Sequence, residues 1–247
     1  MPRPMLGLLL GLCLLGCDAG DPGTTRFDPD SIDFDAVAEL DYGAYVQPLL
    51  AARNVFAEAA TDAEGDLDDY AWDALFGAHA GHDDHGAHGE AHGALTPGET
   101  IVPFDAEGSF LIRFVEDLAD DAAIPFPNLR TLQDDEVRYL KRWIEDGARN
   151  DDGDVPFADA EHLLYAAVQG ANAVAILDAE RRQVIRTIDF DDLGLTCAPN
   201  GPHYMVFEPD RSAVYVSLVN CNTVAKISGS LTDDPSDPAY LLGTTPP

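Results

Sequence analysis

Leu164-Tyr165-Ala-Ala-Val168 and Val214-Tyr215-Val-Ser-Leu218 repeat each other at an offset of 50 positions. Each stretch is followed by an Asn-x-Val-Ala segment, which begins at Asn172 in the first copy and at Asn222 in the second. The alternating and short apolar runs are typical of β-strands. A repeat of this length indicates one supersecondary unit that occurs twice. The C-terminal part of the chain is therefore predicted to be all-β.

The repeat lies within a series of six segments with strand character, separated by turn residues. They cover 163–168, 173–177, 183–190, 204–207, 213–219 and 223–227. Several short strands in each repeated unit are typical of propeller blades. Residues 160–247 are therefore predicted to form a partial β-propeller of about two blades.

The β region resembles the YVTN-type propeller repeat. The matching residues are Gly201-Pro202-His203, Pro209-Asp210 and the strand around Tyr215, in that order. The resemblance implies binding of a partner or ligand near a central axis. It makes His203 a possible ligand, although a lone histidine at the start of a strand is also an ordinary structural residue. Since a propeller closes with about four to eight blades, we expect either a longer reading frame or assembly of identical chains.

Residues 36–150 have helical periodicity, with amphipathic stretches at 36–53, 67–76, 108–118 and 132–146. Thr131 is the predicted N-cap of the last helix, and Gly147 is placed to end it. Three ordered segments within this region resemble the cytochrome c-like domains of planctomycete and Bacteroidetes surface proteins: 46–53, 101–113 and 132–148. The resemblance implies a small all-α domain.

The haem chemistry of that family is not expected here. Covalent attachment needs Cys-x-x-Cys-His, but the corresponding positions read Asn54-Val-Phe-Ala-Glu58. Ile124 stands where the resemblance places a methionine ligand. Haem c binding is therefore predicted to be absent, and no cofactor is assigned.

The N-terminus has the character of an export signal. A single arginine precedes an apolar run that ends in Leu14-Leu15-Gly16-Cys17. This run is shorter than the approximately 20 residues that span a bilayer. It resembles a bacterial lipobox, which implies diacylation of Cys17; an ordinary signal peptide cut elsewhere is the alternative. The predicted organisation is a signal peptide at 1–16, a flexible tether at 17–35, the helical domain at 36–150, a linker at 151–159 and the propeller segment at 160–247.

A histidine-rich loop at 79–92 interrupts the helical region. It contains five of the seven histidines, separated by glycine, alanine and acidic residues: His79, His82, His85, His88 and His92. Imidazole binds Zn²⁺, Cu²⁺ and Ni²⁺, so weak divalent metal binding is one prediction. The other is a solvated insert of low complexity.

Charge and cysteine content restrict the partners and the compartment. The net charge is −31, with 45 acidic against 14 basic residues, and such a chain repels nucleic acid. Of the four cysteines, Cys197 and Cys221 are the candidates for a disulfide in an oxidising compartment.

These observations predict an extracytoplasmic protein that is anchored to a bacterial membrane and that binds or scaffolds an unidentified protein or small molecule. No nucleophile elbow, phosphate loop or zincin motif occurs in the sequence, so a catalytic role is not favoured. The alternative function is a periplasmic redox or metal-handling protein, which would use a non-covalent haem or the histidine-rich loop.

Overall fold

The structure is a computed structural model that describes residues 27–56, 66–76, 100–117, 131–195 and 197–245. The first half of the described chain is helical, and the second half consists of β-strands. The four helices are α1 (Gln47–Ala52), α2 (Trp72–Phe76), α3 (Phe110–Asp117) and α4 (Asp134–Glu145). A π-helical turn at Tyr42–Val46 leads directly into α1.

The longest of these helices, α4, begins two residues later than the N-cap prediction implies. Gln133 is the N-cap residue, and its backbone N–H donates to Glu136 Oε2 at 2.8 Å. Thr131 is therefore not the cap, because the acidic residue that completes the capping box is Glu136. The predicted end at Gly147 is confirmed. This glycine has φ +101°, and a Cβ atom there would lie 2.6 Å from Phe104 Cζ.

Seven strands within the described residues form two antiparallel sheets. The first sheet has the order β1-β2-β3, and the second has the order β4-β5-β6-β7. The six predicted strand segments are confirmed, with small shifts at their ends, and β7 is an additional strand. The bounds are β1 (Leu163–Val168), β2 (Ala173–Asp178), β3 (Gln183–Asp189), β4 (Pro202–Phe207), β5 (Ala213–Leu218), β6 (Thr223–Ser228) and β7 (Leu241–Thr244).

The two sheets pack against each other through one face of each, which we call the inner faces. The rings of Tyr165 on β1 and Phe207 on β4 meet edge-to-face, with centroids 4.8 Å apart. Side chains alternate along a strand, so every second residue belongs to the inner face. The fully buried members are Val174, Ile176 and Ile188 in the first sheet and Val214, Val216, Leu218, Ala225 and Ile227 in the second.

The helices and the sheets share one hydrophobic core. A continuous cluster of buried side chains includes Trp143 on α4, Phe76 on α2 and Ile176 on β2. Phe157 joins the two halves, because its ring lies edge-to-face against Phe76 with centroids 5.8 Å apart. The segment before β1 is therefore packed into the core.

The predicted fold class, an all-α cytochrome c-like domain plus a partial propeller, is wrong. The described residues have a mixed α/β architecture, with four helices and two antiparallel sheets of three and four strands, and they form no closed barrel or propeller. Periodicity identifies strands because it depends on which side chains are buried. It does not determine how sheets are arranged, because that depends on packing between distant parts of the chain.

Candidate functional site

The face of the second sheet that points away from the first sheet is the most prominent apolar surface among the described residues. We call it the outer face of the second sheet. Its members are Tyr204, Val206, Tyr215, Ser217, Val224 and Lys226. Tyr204 is 67% exposed, Val206 is 50% exposed and Tyr215 is 37% exposed. Exposed aromatic and aliphatic side chains in a contiguous patch are typical of interaction surfaces.

Strand pairing places these side chains beside one another. Val206 on β4 lies opposite Tyr215 on β5, and Tyr215 lies opposite Lys226 on β6. Next to them, the backbone N–H of Tyr204 donates to Ser217 Oγ at 2.9 Å. Cross-strand pairs of this kind stabilise a sheet. The outer face is therefore held by the sheet and does not depend on loop conformation.

The charged groups on this face neutralise each other. Lys226 Nζ lies 2.7 Å from Glu208 Oε1, and the hydroxyl of Tyr215 donates to the same oxygen at 2.8 Å. The hydrogen bond from Lys226 and those from Tyr215 and Ser212 hold the pKa of the Glu208 carboxyl below its ordinary value. A chain of net charge −31 thus presents an outer face whose ion pair carries no net charge.

A disulfide and a polar network support the corner between the two sheets. Cys197 and Cys221 form a disulfide with their Cα atoms 5.8 Å apart. Beside it, Asn172 Oδ1 accepts hydrogen bonds from the backbone N–H groups of Asn200 and Gly201, at 2.8 and 3.1 Å. Asn172 is nearly buried and lies just before β2 in the left-handed conformation. This network connects the start of β2 to the start of β4.

The second candidate is an acidic cleft of about 610 Å³ between the helical half and the sheets. Six carboxylates line it: Asp105, Glu107, Glu145, Asp189, Asp192 and Asp234. Partial desolvation, together with the negative charges of Asp189 and Asp191, raises the pKa of the Asp192 carboxyl. No group of three or more His, Cys, Asp or Glu side chains in the described parts of the chain is arranged to hold a metal ion. The cleft therefore concentrates negative charge without assembling a ligand set.

The structure describes three of the predicted site residues: Cys197, Cys221 and His203. Cys197 and Cys221 are joined, as stated above. His203 is exposed on β4 and stands next to Tyr204; its predicted ligand role stays a prediction. Cys17 and the five histidines of the loop at 79–92 lie outside the described residues.

Sequence reasoning missed the residues of the outer face, although the signal was present. Tyr204 and Val206 alternate with Met205 and Phe207, so both faces of β4 are apolar. A strand with one solvated face normally has polar residues on that face. The apolar side chains at Tyr204 and Val206 therefore already indicated a second surface to be covered.

None of the known protein families, curated proteins or solved structures compared with this chain is similar enough to count as a match. The resemblances to cytochrome c-like domains and to YVTN repeats therefore stay predictions about sequence. Within the residues that the structure describes, no helix is both long and apolar enough to cross a membrane.

Proposed function

We propose that this chain is an extracytoplasmic, lipid-anchored protein that binds or scaffolds a partner protein. The observation that carries the binding role is the outer face of the second sheet. Tyr204, Val206 and Tyr215 are exposed together on a rigid sheet. Leaving large apolar side chains in water costs about 25 cal/mol per Å² relative to burying them, so covering this surface is favourable.

The anchoring part of the proposal rests on the sequence Leu14-Leu15-Gly16-Cys17. The disulfide between Cys197 and Cys221 supports an extracytoplasmic location, because disulfides persist in oxidising compartments. Acyl chains at Cys17 would hold the protein at a membrane surface. The large negative charge opposes attraction to anionic lipid, so the acyl chains would have to supply the membrane affinity.

A labelling experiment tests whether the outer face is covered in the cell. Val206→Cys and the control Leu67→Cys place thiols at positions that are both 50% exposed. Leu67 lies in a short helical turn of the helical half, which packs mainly against α1 and α2. We expect a maleimide to label position 206 slowly in native membranes and rapidly in the purified, diluted protein. Position 67 should react equally in both. Equal labelling of position 206 in the two preparations would contradict a binding role for this face.

The anchor is tested separately by mass spectrometry of the mature N-terminus. We expect a diacylated Cys17, and we expect Cys17→Ser to abolish acylation while Cys13→Ser leaves it intact. An unmodified N-terminus at another residue would refute lipid anchoring and would leave the binding role of the sheet standing.

A further inference from the structure

The two copies of the repeat have opposite patterns of burial. Leu164 in the first copy is 58% exposed, whereas its equivalent Val214 in the second copy is 0% exposed. Conversely, Ile176 is 0% exposed, while its equivalent Lys226 lies on the outer face of the second sheet. The face that is inner in one sheet is therefore outer in the other.

This inversion defines how the sheets are stacked. If the sheets packed back-to-back, equivalent residues would meet and would be buried in both copies. Instead, the inner face of the first sheet packs against the face of the second sheet that is not its equivalent. The two sheets therefore face the same way, like successive layers in a stack. Tyr165 contacts Phe207 across the layers, while its own equivalent, Tyr215, is exposed. Such stacking leaves one apolar face at each end of the pair.

The two end faces have complementary character. The outer face of the first sheet includes Leu164, Ala166, Ala175, Leu177 and Val184, and Thr187 and Asp189 lie at its end on β3. The first four of these are equivalent to Val214, Val216, Ala225 and Ile227, which pack against the first sheet inside the chain. Four members of the outer face of the second sheet, Tyr215, Ser217, Val224 and Lys226, are in turn equivalent to Tyr165, Ala167, Val174 and Ile176 on the surface that those residues cover. Tyr204 and Val206 extend this face on β4, which has no counterpart in the first sheet. Two chains can thus repeat, between them, the packing that the two sheets make within one chain.

We propose that a second copy of this chain docks the outer face of its first sheet onto the outer face of the second sheet, head-to-tail. This inference rests on the proposed binding function and names the partner. The outer face of the first sheet carries one charged side chain on its strands, Asp189 at the end of β3, and the second has the neutralised Glu208–Lys226 pair. Contact between the two faces brings one carboxylate, at the edge of the first sheet, towards a neutral ion pair. Copies that repel each other elsewhere therefore meet here with little repulsion between like charges. Because the two contributing surfaces differ, the contact does not close upon a dimer, and larger assemblies form.

The mass of the detergent-solubilised full-length chain tests the proposal. Light scattering, with the detergent contribution subtracted, should show a mass that rises with protein concentration beyond that of a dimer. Added salt should strengthen association, because screening reduces the repulsion between chains of net charge −31. A native chain that stays monomeric under all these conditions overturns the proposal. Protection of position 206 in native membranes would then identify a different protein partner.

Single substitutions on each end face distinguish a head-to-tail contact from a symmetric one. Val206→Glu and Leu164→Glu each place an unpaired charge in the contact and should weaken association at least tenfold. Leu67→Glu is the control and should associate as the native chain does. An equimolar mixture of Val206→Glu and Leu164→Glu should form a dimer with one copy of each, because each variant keeps the face that the other has lost.

Two results would overturn the head-to-tail contact. One is normal association of Leu164→Glu combined with loss in Val206→Glu, which indicates a symmetric contact through the second sheet. The other is an unchanged mass in both variants, which indicates association through another surface. Circular dichroism of each variant establishes that it is folded, and Tyr204→Glu replaces Val206→Glu if that variant does not fold, since Tyr204 is the most exposed member of the face.

Discussion

The guanidinium of Arg186 lies 5.3 Å from the ring centroid of Phe104. Arg186 belongs to β3 and is only 1% exposed, and Phe104 belongs to the segment before α3. The guanidinium donates to the carbonyl oxygens of Pro156, at 2.9 Å, and of Leu231. Burial lowers its pKa to about 9. A buried cation thus connects the helical half, the linker and both sheets.

We expect Arg186→Met to destabilise the protein by about 2–4 kcal/mol. Methionine has a similar volume but cannot donate, so the buried carbonyl oxygens of Pro156 and Leu231 would lose these hydrogen bonds. Urea unfolding measures the change. Arg182→Met, at an exposed turn position, is the control and should change the free energy of unfolding by less than about 0.5 kcal/mol. Equal stability of the two variants would show that Arg186 contributes little.

The disulfide between Cys197 and Cys221 is expected to stabilise the second half of the chain. Its cysteines are separated by 24 positions, and a loop of this length corresponds to about 3 kcal/mol in the chain-entropy treatment. The double variant Cys197→Ser/Cys221→Ser should lose this amount relative to the native chain under oxidising conditions. In the presence of a reductant the two proteins should have similar stability. Free thiols at both positions in the unfolded, unreduced chain would exclude the bond.

The ion pair between Arg53 and Glu136 connects the end of α1 to the start of α4. Arg53 Nη2 lies 2.6 Å from Glu136 Oε1, and the Glu136 side chain is 1% exposed. Glu136→Ala would leave Arg53 with Asp30 as its remaining ion-pair partner and remove the acceptor of the capping hydrogen bond that the Gln133 N–H donates, so we expect a loss of about 2–3 kcal/mol.

An exposed ion pair provides the comparison for Glu136→Ala. Arg138 and Asp35 are joined at 2.6 Å, but their side chains are 54% and 53% exposed. Asp35→Ala should therefore destabilise the protein much less than Glu136→Ala does. Thermal unfolding of both variants checks the difference, and a similar decrease in Tm for the two would contradict the role assigned to Glu136.

Asp192→Asn is expected to stabilise the protein slightly at neutral pH. The pKa of Asp192 is raised in the acidic cleft, so its ionised form costs free energy in the folded state. The gain should be below about 1 kcal/mol, since the side chain is solvated. It should disappear as pH falls through the raised pKa to the ordinary carboxyl value, where the native side chain is itself protonated.

Asp178→Asn should destabilise the protein, which is the opposite of the effect expected for Asp192→Asn, and it is the matched control. Burial raises the pKa of this carboxyl, but hydrogen bonds from Arg181 and from the backbone N–H of Glu180 outweigh burial and hold the pKa below its ordinary value. The ionised Asp178 carboxylate stabilises the folded state at pH values above the ordinary carboxyl pKa. This stabilisation is lost as pH falls through the lowered pKa. Unfolding free energies of both variants between pH 3 and 7 give the comparison. A loss of stability in Asp192→Asn at pH 7 would contradict repulsion in the cleft.

The histidine-rich loop is expected to bind divalent metal weakly. Five imidazoles at spacings of three and four residues provide ligands for Zn²⁺ or Ni²⁺, but ordering a Gly-rich loop costs conformational entropy. Titration calorimetry should show binding that is lost when the five histidines at 79–92 become alanine. His162→Ala is the control, since His162 lies at the start of β1 beside Glu180. The absence of heat from the native chain refutes metal binding.

Local features of the structure could be predicted from the sequence alone. The six strand segments, the end of α4 at Gly147 and the candidate pairing of Cys197 with Cys221 follow from residue alternation, glycine conformation and cysteine number. Each depends on residues close in sequence or on simple counting. The N-cap of α4 was missed because Thr131 is a preferred N-cap residue and Gln133 is not, although Glu136 completes the capping box with Gln133.

The arrangement of the sheets, and with it the candidate site, was decided only by tertiary structure. The repeat at an offset of 50 positions predicted two similar units, but it did not indicate that their burial would be inverted or that Phe157 would pack into a core shared with the helices. Alternation identifies the two faces of a strand, whereas which of these faces is covered depends on the neighbouring layer. Tyr165 and Tyr215 occupy equivalent positions, but the ring of Phe207 in the other sheet packs on Tyr165 and makes it an inner residue, whereas Tyr215 is 37% exposed on the outer face.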